Sequence, residues 1–220
     1  MKITRQTLLD GTMHEHQLRH AQMHPNESWR TEDQMTASLD KILDAHPADQ
    51  DLWVFGYGSL IWNPAFEFAE KRCALLHGWH RRFCLKMFMG RGTPEAPGLM
   101  LALDRGGACH GVAFRIAAKN VRQELGLLWR REMYGGAYNA RWVSLNANGE
   151  KFRGVTFVCN HAHPRYTREL SVQEIAAFIA TGCGDLGTCR EYLENTVAHL
   201  RELGVRDANL IRIMAALPKP

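Results

Sequence analysis

The sequence predicts an α+β domain in which a small mixed sheet, curled toward a β-barrel of about six strands, is packed by helices. Three observations carry that expectation. Short β-prone apolar segments recur from Leu52 to Cys159, a single helical stretch interrupts them near Asn120 to Glu132, and the remainder of the chain reads as capped helices. A helix inserted between hairpins makes a purely antiparallel meander a poor fit, so the sheet is expected to be mixed and able to close around a cavity.

The elements follow in order. Residues 1–50 are polar and rich in histidine, with two weak helical stretches near Thr12–Met23 and Glu32–Ala45. They read as an amino-terminal extension outside the core, leaving 51–220 as the domain that carries it. Strand character begins at Leu52–Tyr57 and continues through Cys73–Met87, with a break at Gly78, then Leu99–Leu103 and Cys109–Ile116. The tetrad Asp104-Arg105-Gly106-Gly107 reads as a hairpin turn joining the last two. Asn120 is placed to cap a helix with Gln123, and Val121, Leu125, Leu128 and Trp129 share one of its faces. A second hairpin is expected around Asn148-Gly149. Ser171-x-x-Glu174 and Thr188-x-x-Glu191 match the capping box, Gly204 stops the second of these helices, and Pro218 ends a third that begins near Asp207.

Composition narrows the function. With 220 residues, 45% of them apolar, the chain can bury a core. Its net charge of +4 is spread along the sequence and forms no basic block, so nucleic acid is not an expected partner. No apolar run approaches the roughly 18 residues of a membrane span, and the start of the chain lacks a signal-peptide core, which together predict a soluble, cytoplasmic protein without membrane insertion. The six cysteines include no C-x-x-C pair and read as reduced core thiols.

The most informative stretch is Phe55-Gly56-Tyr57-Gly58-Ser59-Leu60, where a strand breaks into a glycine-rich turn. Such turns expose backbone N–H groups that bind anions. The Lys-Ser/Thr ending of a nucleotide loop and the third glycine of a dinucleotide fingerprint are both missing, which favours a small carboxylate over a phosphate. Glu132 is the candidate acid. Trp129, Met133, Tyr134 and Tyr138 crowd it, and burial among them raises a carboxyl pKa toward neutrality, as a general acid/base requires. Spacing alone favours the plainer alternative, an ion pair with Arg130 or Arg131 on a helix surface.

Other candidates are weaker. His16, His20 and His24 at i, i+4, i+8, and His161 with His163 at i, i+2, have spacings compatible with a shared metal, yet neither set has a third ligand of definite position, so solvated histidines and no metal are expected. Arg81-Arg82 suit a substrate carboxylate but more often decorate a strand. Ser59 lacks the glycine that follows the serine of a nucleophile elbow, and no cysteine pairs with a histidine. An anion-binding loop and one tuned glutamate remain, so the nucleophile has to lie within the substrate.

Phe55-Gly56-Tyr57-Gly58-Ser59-Leu60-Ile61-Trp62, Gly78-Trp79-His80-Arg81-Arg82-Phe83, Gly111-Val112-Ala113-Phe114 and Arg131-Glu132-Met133-Tyr134-Gly135-Gly136-Ala137-Tyr138, in this order, resemble the ChaC family of γ-glutamylcyclotransferases. The resemblance implies a γ-glutamylcyclotransferase-like barrel and cleavage of glutathione into 5-oxoproline and cysteinylglycine without a cofactor. It further implies that Phe55, Gly56, Tyr57, Gly58, Ser59 and Leu60 hold the γ-glutamyl group and that Glu132 is the acid/base. The competing reading is a non-catalytic, glutathione-binding regulator of a cation transporter.

Overall fold

A computed structural model of the chain describes residues 1–25 and 27–218. Helices α1 (Arg5–Leu9), α2 (Thr12–Met23) and α3 (Glu32–Leu43) precede strand β1 (Leu52–Gly56) and a 3-10 turn at Ser59–Ile61. Two long strands follow, β2 (Glu70–Met87) and β3 (Gly98–Ile116), and then α4 (Val121–Glu132), β4 (Tyr138–Ala147) and β5 (Glu150–Cys159). The chain continues through α5 (Val172–Thr181), the small pair β6 (Cys183–Gly184) and β7 (Gly187–Thr188), α6 (Cys189–Glu202) and α7 (Ala208–Ala216).

Five strands close a barrel in the order β1-β3-β2-β4-β5. The sheet is mixed as expected: β1 runs antiparallel to β3 but parallel to β5, where Trp53 faces Gly154 and Val54 faces Val155. The hairpin expected at Asp104–Gly107 does not exist. Leu99–Leu103 and Cys109–Ile116 belong to the single strand β3, so six expected segments become five barrel strands. The register explains why. His77 pairs with Ala108 and Trp79 with Arg105, leaving Gly106 and Gly107 opposite Gly78 in a bulge. All three glycines have positive φ, at 97°, 66° and 81°, the same backbone demand that a tight turn makes. The bulge bends the β2–β3 ribbon so that it wraps into a barrel, and the true turn lies between Met87 and Gly98. By contrast, Asn148 (φ 51°) and Gly149 (φ 88°) do form the two-residue turn between β4 and β5.

Helix α4 packs Val121, Leu125, Leu128 and Trp129 inward, and the Trp129 ring stands edge-on to Phe157 of β5 at 5.4 Å. Its entry differs from expectation: Asn120 makes no side-chain cap bond, because a 3-10 turn at Ala118–Asn120 already orients the first helical N–H groups. Ser171 completes its capping box with Glu174. Thr188 accepts from Glu191 N–H, but the Glu191 carboxylate turns away to Arg91 at 3.3 Å, so the second box is half formed. Gly204, with φ of 72°, follows the end of α6.

The amino-terminal segment is not outside the core. Met35 and Ile42 of α3 are 4% and 7% exposed within the main apolar cluster, Ser38 Oγ accepts the Trp129 indole N–H at 2.9 Å, and Leu8 and Met13 pack with Leu127. Their hydrophobic period is weak because a histidine and a glutamine share the inward face of α2 with Met13. Cys84, Cys109, Cys159 and Cys189 are buried free thiols, whereas Cys73 and Cys183 are exposed. Among the described residues no helix is long and apolar enough to cross a membrane.

Candidate active site

Strand β1 delivers the glycine loop to one end of the barrel. At Gly56 a Cβ would lie 2.8 Å from the Leu60 Cβ, so the loop doubles back tightly only because that atom is missing. At Gly58 a Cβ would meet the Tyr192 hydroxyl at 2.6 Å, which fixes glycine there for close approach of α6. The first hydrogen bond of the 3-10 turn runs from Ile61 N–H to Gly58 C=O (2.9 Å), leaving the Ser59 and Leu60 N–H groups without an acceptor inside the turn. They lie in the turn where the sequence suggested anion-binding donors.

Helix α4 delivers the acid. Glu132 is its last residue, and the Gly135-Gly136 turn, with φ of 71° at Gly136, sends the chain back into β4. The expected alternative holds in part: Glu132 does pair with Arg131, with Oε1 3.0 Å from Nε. The pair is not on a surface, since the two side chains are 15% and 4% exposed. Burial pushes the Glu132 carboxyl above its usual 4.5, and the attraction of Arg131 only partly offsets this. Arg131 also donates from Nη1 to Asn63 C=O (2.5 Å) and from Nη2 to Ser59 Oγ (2.9 Å). One guanidinium therefore touches both the loop and the acid, and holds them in fixed relation.

Loop and acid line one cavity of about 530 Å³, within the range of about 300–1,000 Å³ usual for small-molecule sites. Of the loop residues singled out from the sequence, Tyr57, Gly58, Ser59 and Leu60 face it, whereas Phe55 and Gly56 lie in β1 behind it, with Phe55 fully buried. Tyr138 and Tyr192 add hydroxyls; burial pushes both, and Tyr57, above the ordinary phenol range, so that they remain protonated. Tyr138 donates to Leu101 C=O at 2.9 Å. The charged lining is Lys2, Arg91, Arg131 and Arg165 against Glu132 and Glu191, which favours an anionic occupant.

Sequence reading missed several of these groups. Arg131 is adjacent to Glu132 but its contact with Ser59 is a tertiary event, and Tyr192 reaches the loop from α6 with no local mark beyond its place after Glu191. Arg165, 5% exposed and paired with Glu27, is drawn down to about 10 by burial. Arg81 and Arg82 stay away from the cavity: Arg81 pairs with Asp207 at 2.9 Å and Arg82 with Asp104 at 3.1 Å. His161 and His163 are not on a strand but in the turn after β5, where His161 contacts Asp104 at 2.7 Å and His163 is buried. His16 is not solvated either, being 8% exposed beside His20 and Asp185.

The sequence profile of the family described as "ChaC-like protein" matches residues 52–219. The chain is 42% identical over 192 residues to the glutathione-specific γ-glutamylcyclotransferase of Escherichia coli (strain K12), covering 87% of this chain and 83% of that protein. It is 30% identical over 175 residues to the human glutathione-specific γ-glutamylcyclotransferase 1, covering 76% and 79% respectively. Among solved structures, that of a yeast γ-glutamylcyclotransferase specific to glutathione superposes with a TM-score of 0.69 at 19% identity, covering 76% of this chain and 97% of the other, a likeness of fold. A profile match spanning the barrel, α4 and the carboxy-terminal helices, together with relatives aligned over most of their length, makes this chain a member of the ChaC-like family.

Proposed function

We propose that the protein is a glutathione-specific γ-glutamylcyclotransferase that releases 5-oxoproline and cysteinylglycine, with Glu132 as its acid/base and the Tyr57–Leu60 turn as the cradle of the γ-glutamyl group. The observation that carries this reading is the buried Glu132 carboxyl, held above its usual pKa and tied through Arg131 to a turn with free N–H groups. The names of the E. coli and human relatives supply the substrate.

The chemistry asks for these groups and no others. The α-carboxylate of the γ-glutamyl unit binds the Ser59 and Leu60 N–H groups, with Arg131 adjacent. Held there, the substrate folds so that its α-amine faces its own γ-carbonyl. Glu132 takes a proton from the ammonium, the freed nitrogen forms a bond to the γ-carbon, and the bond from that carbon to the cysteinyl nitrogen breaks as Glu132 passes the proton to the departing nitrogen; the second proton that the ring nitrogen sheds follows the same route, so the lactam keeps one N–H and cysteinylglycine leaves with a protonated amine. No water is consumed, and no enzyme nucleophile forms a covalent link. Fixing a five-membered ring closure at near-attack distance supplies much of the acceleration, since effective molarities of such reactions reach roughly 10⁵ M or more. An elevated pKa suits both halves of this cycle, because one carboxyl has to accept and then give up the same proton near neutral pH.

On this reading 51–220 is the catalytic domain and 1–50 an extension that closes one side of the cavity, where Met1 to Thr4, Met13 and Trp29 contribute to the lining. Six unpaired thiols suit a cytoplasmic setting. The test is direct: purified protein incubated with glutathione releases equal amounts of 5-oxoproline and cysteinylglycine, and an absence of 5-oxoproline refutes the proposal.

A further inference from the structure

We infer that His16, His20 and Asp185 form a binding site for one divalent transition-metal ion of the zinc class, which fastens helix α2 to the β6–β7 turn at the rim of the Glu132 cavity. His16 and His20 are one helical turn apart on α2, so both imidazoles leave the same face. Asp185 sits in the tight turn between Gly184 and Gly187 and points back at them. The three donor atoms, His16 Nε2, His20 Nε2 and Asp185 Oδ2, all lie within 4.8 Å of one another.

Two of the three spacings are those of ligands around a common centre, and the third, His16 Nε2 to Asp185 Oδ2, is a direct contact that a bound ion would part. Two nitrogens bound to zinc at about 2.05 Å in tetrahedral geometry stand about 3.3 Å apart. Here the two Nε2 atoms are separated by 3.2 Å, His20 Nε2 is 3.5 Å from Asp185 Oδ2, and His16 Nε2 contacts the same oxygen. Hydrogen bonding alone accounts for this arrangement badly. Both histidines can donate to Asp185 only if both carry a proton on Nε2, which sets two N–H groups against each other. A cation in the middle turns three converging lone pairs from a conflict into a coordination set. Two imidazoles and one carboxylate are donors that zinc, cobalt and nickel accept, and three protein ligands leave a position for solvent.

The placement has a structural consequence. Leu186, next to Asp185, and His16 itself both line the cavity that holds Glu132, and the Met1 ammonium donates to Asp185 C=O at 2.6 Å. An ion at this point would hold the amino-terminal segment against the catalytic barrel. The site takes no part in the proton transfers assigned to Glu132, so its occupancy and the cyclotransferase reading stand or fall separately.

The experiment uses the full chain without a polyhistidine tag, stripped with a chelator and dialysed. Titration with Zn²⁺ by calorimetry, and with Co²⁺ by visible absorption, is expected to saturate at one ion per chain, and Zn²⁺ is expected to raise the melting temperature of the stripped protein. His16→Ala and Asp185→Asn should each weaken Zn²⁺ binding at least tenfold and abolish the Co²⁺ absorption band, with far-ultraviolet circular dichroism confirming that each variant is folded. His77→Ala, at an exposed position on β2, should bind as the unaltered protein does. Failure of the stripped, folded protein to bind either ion saturably overturns the inference. So does equal binding by Asp185→Asn and the unaltered protein. If Asp185→Asn does not fold, Asp185→Glu, which moves the carboxylate along the same turn, serves in its place, and an unaltered Co²⁺ spectrum there counts against the site.

Discussion

Glu132→Gln separates catalysis from stability in a single substitution. Glutamine keeps the shape of a protonated carboxyl, and its amide oxygen can still accept from Arg131 Nε, now 3.0 Å from Glu132 Oε1. It cannot carry the proton between the two nitrogens. General acid–base catalysis contributes about 10²–10⁴-fold per group, so 5-oxoproline release from glutathione, followed by chromatography, should fall at least hundredfold with little change in KM. Stability should move the other way. A carboxyl whose pKa is higher in the folded than in the unfolded chain binds more protons when folded, so its contribution is fully present below the usual value of 4.5 and is lost as pH rises through the folded value. Above that folded value the unaltered protein therefore carries the cost of an ionised, buried Glu132, at about 1.4 kcal/mol for each pH unit by which the folded value exceeds the unfolded one. Glutamine carries none. Thermal melts across pH should show the variant more stable than the parent near pH 7 and equal to it near pH 4. Activity within tenfold of the parent refutes the catalytic assignment, and a variant that is no more stable at pH 7 refutes the burial argument.

Arg131→Ala removes the link to Ser59 and the charge that draws the Glu132 carboxyl down, so KM for glutathione should rise and the acidic limb of the kcat/KM profile should shift to higher pH; an unmoved limb refutes the electrostatic role. Gly58→Ala places a methyl 2.6 Å from the Tyr192 hydroxyl, a contact that neither the loop nor α6 can absorb without moving, and kcat/KM should drop at least tenfold while the protein stays folded. Leu125→Ala, at a fully buried position facing the barrel from α4, should cost about 2–5 kcal/mol in denaturant melts, and a loss below about 1 kcal/mol would show that α4 does not anchor there as described. Glutathione compared with γ-glutamyl-alanine tests the departing group: kcat/KM should be much higher for glutathione, because Lys2, Arg91 and Arg165 also line the cavity and offer partners to its glycyl carboxylate, and equal values would remove the specificity.

How much of this was legible in the sequence depended on whether a signal was local. The glycine turn, the α4 face and the Asn148-Gly149 hairpin are short-range patterns, and each appears where the sequence placed it. The Asp104–Gly107 tetrad failed for an instructive reason. Positive φ at successive glycines is required by a two-residue turn and by a wide bulge alike, and only the cross-strand partner, here Gly78, tells them apart. The environment of Glu132 was half legible. Its aromatic neighbours predicted burial, and burial is what raises its pKa. Its partner Arg131 was visible too, but an adjacent arginine reads as a surface pair unless the residue that makes both side chains interior is known. That residue is Ser59, in the loop more than seventy positions earlier, at |i−j| of 72.

The amino-terminal segment carries the same lesson further. Its helices are weakly amphipathic because their inward residues include His16 and Gln17 as well as Met13, and a polar residue facing inward is invisible to hydrophobic periodicity. Gln17 reaches the Arg130 carbonyl at 2.7 Å, one residue before the guanidinium that spans loop and acid, and His16 meets Asp185 beside the cavity lining. The family match begins at residue 52, after this segment. On the proposed reading α4 and the turn after β1 supply acid and cradle, while the wall of the cavity near Trp29, Met1 and Lys2 precedes the residues that the family profile matches. Substitutions in α2 that spare Glu132 and the Tyr57–Leu60 turn should therefore act on KM and on the choice of departing group before they act on kcat, a separation that steady-state kinetics of Gln17→Ala with glutathione and γ-glutamyl-alanine would show; an effect confined to kcat would place α2 in the chemistry itself.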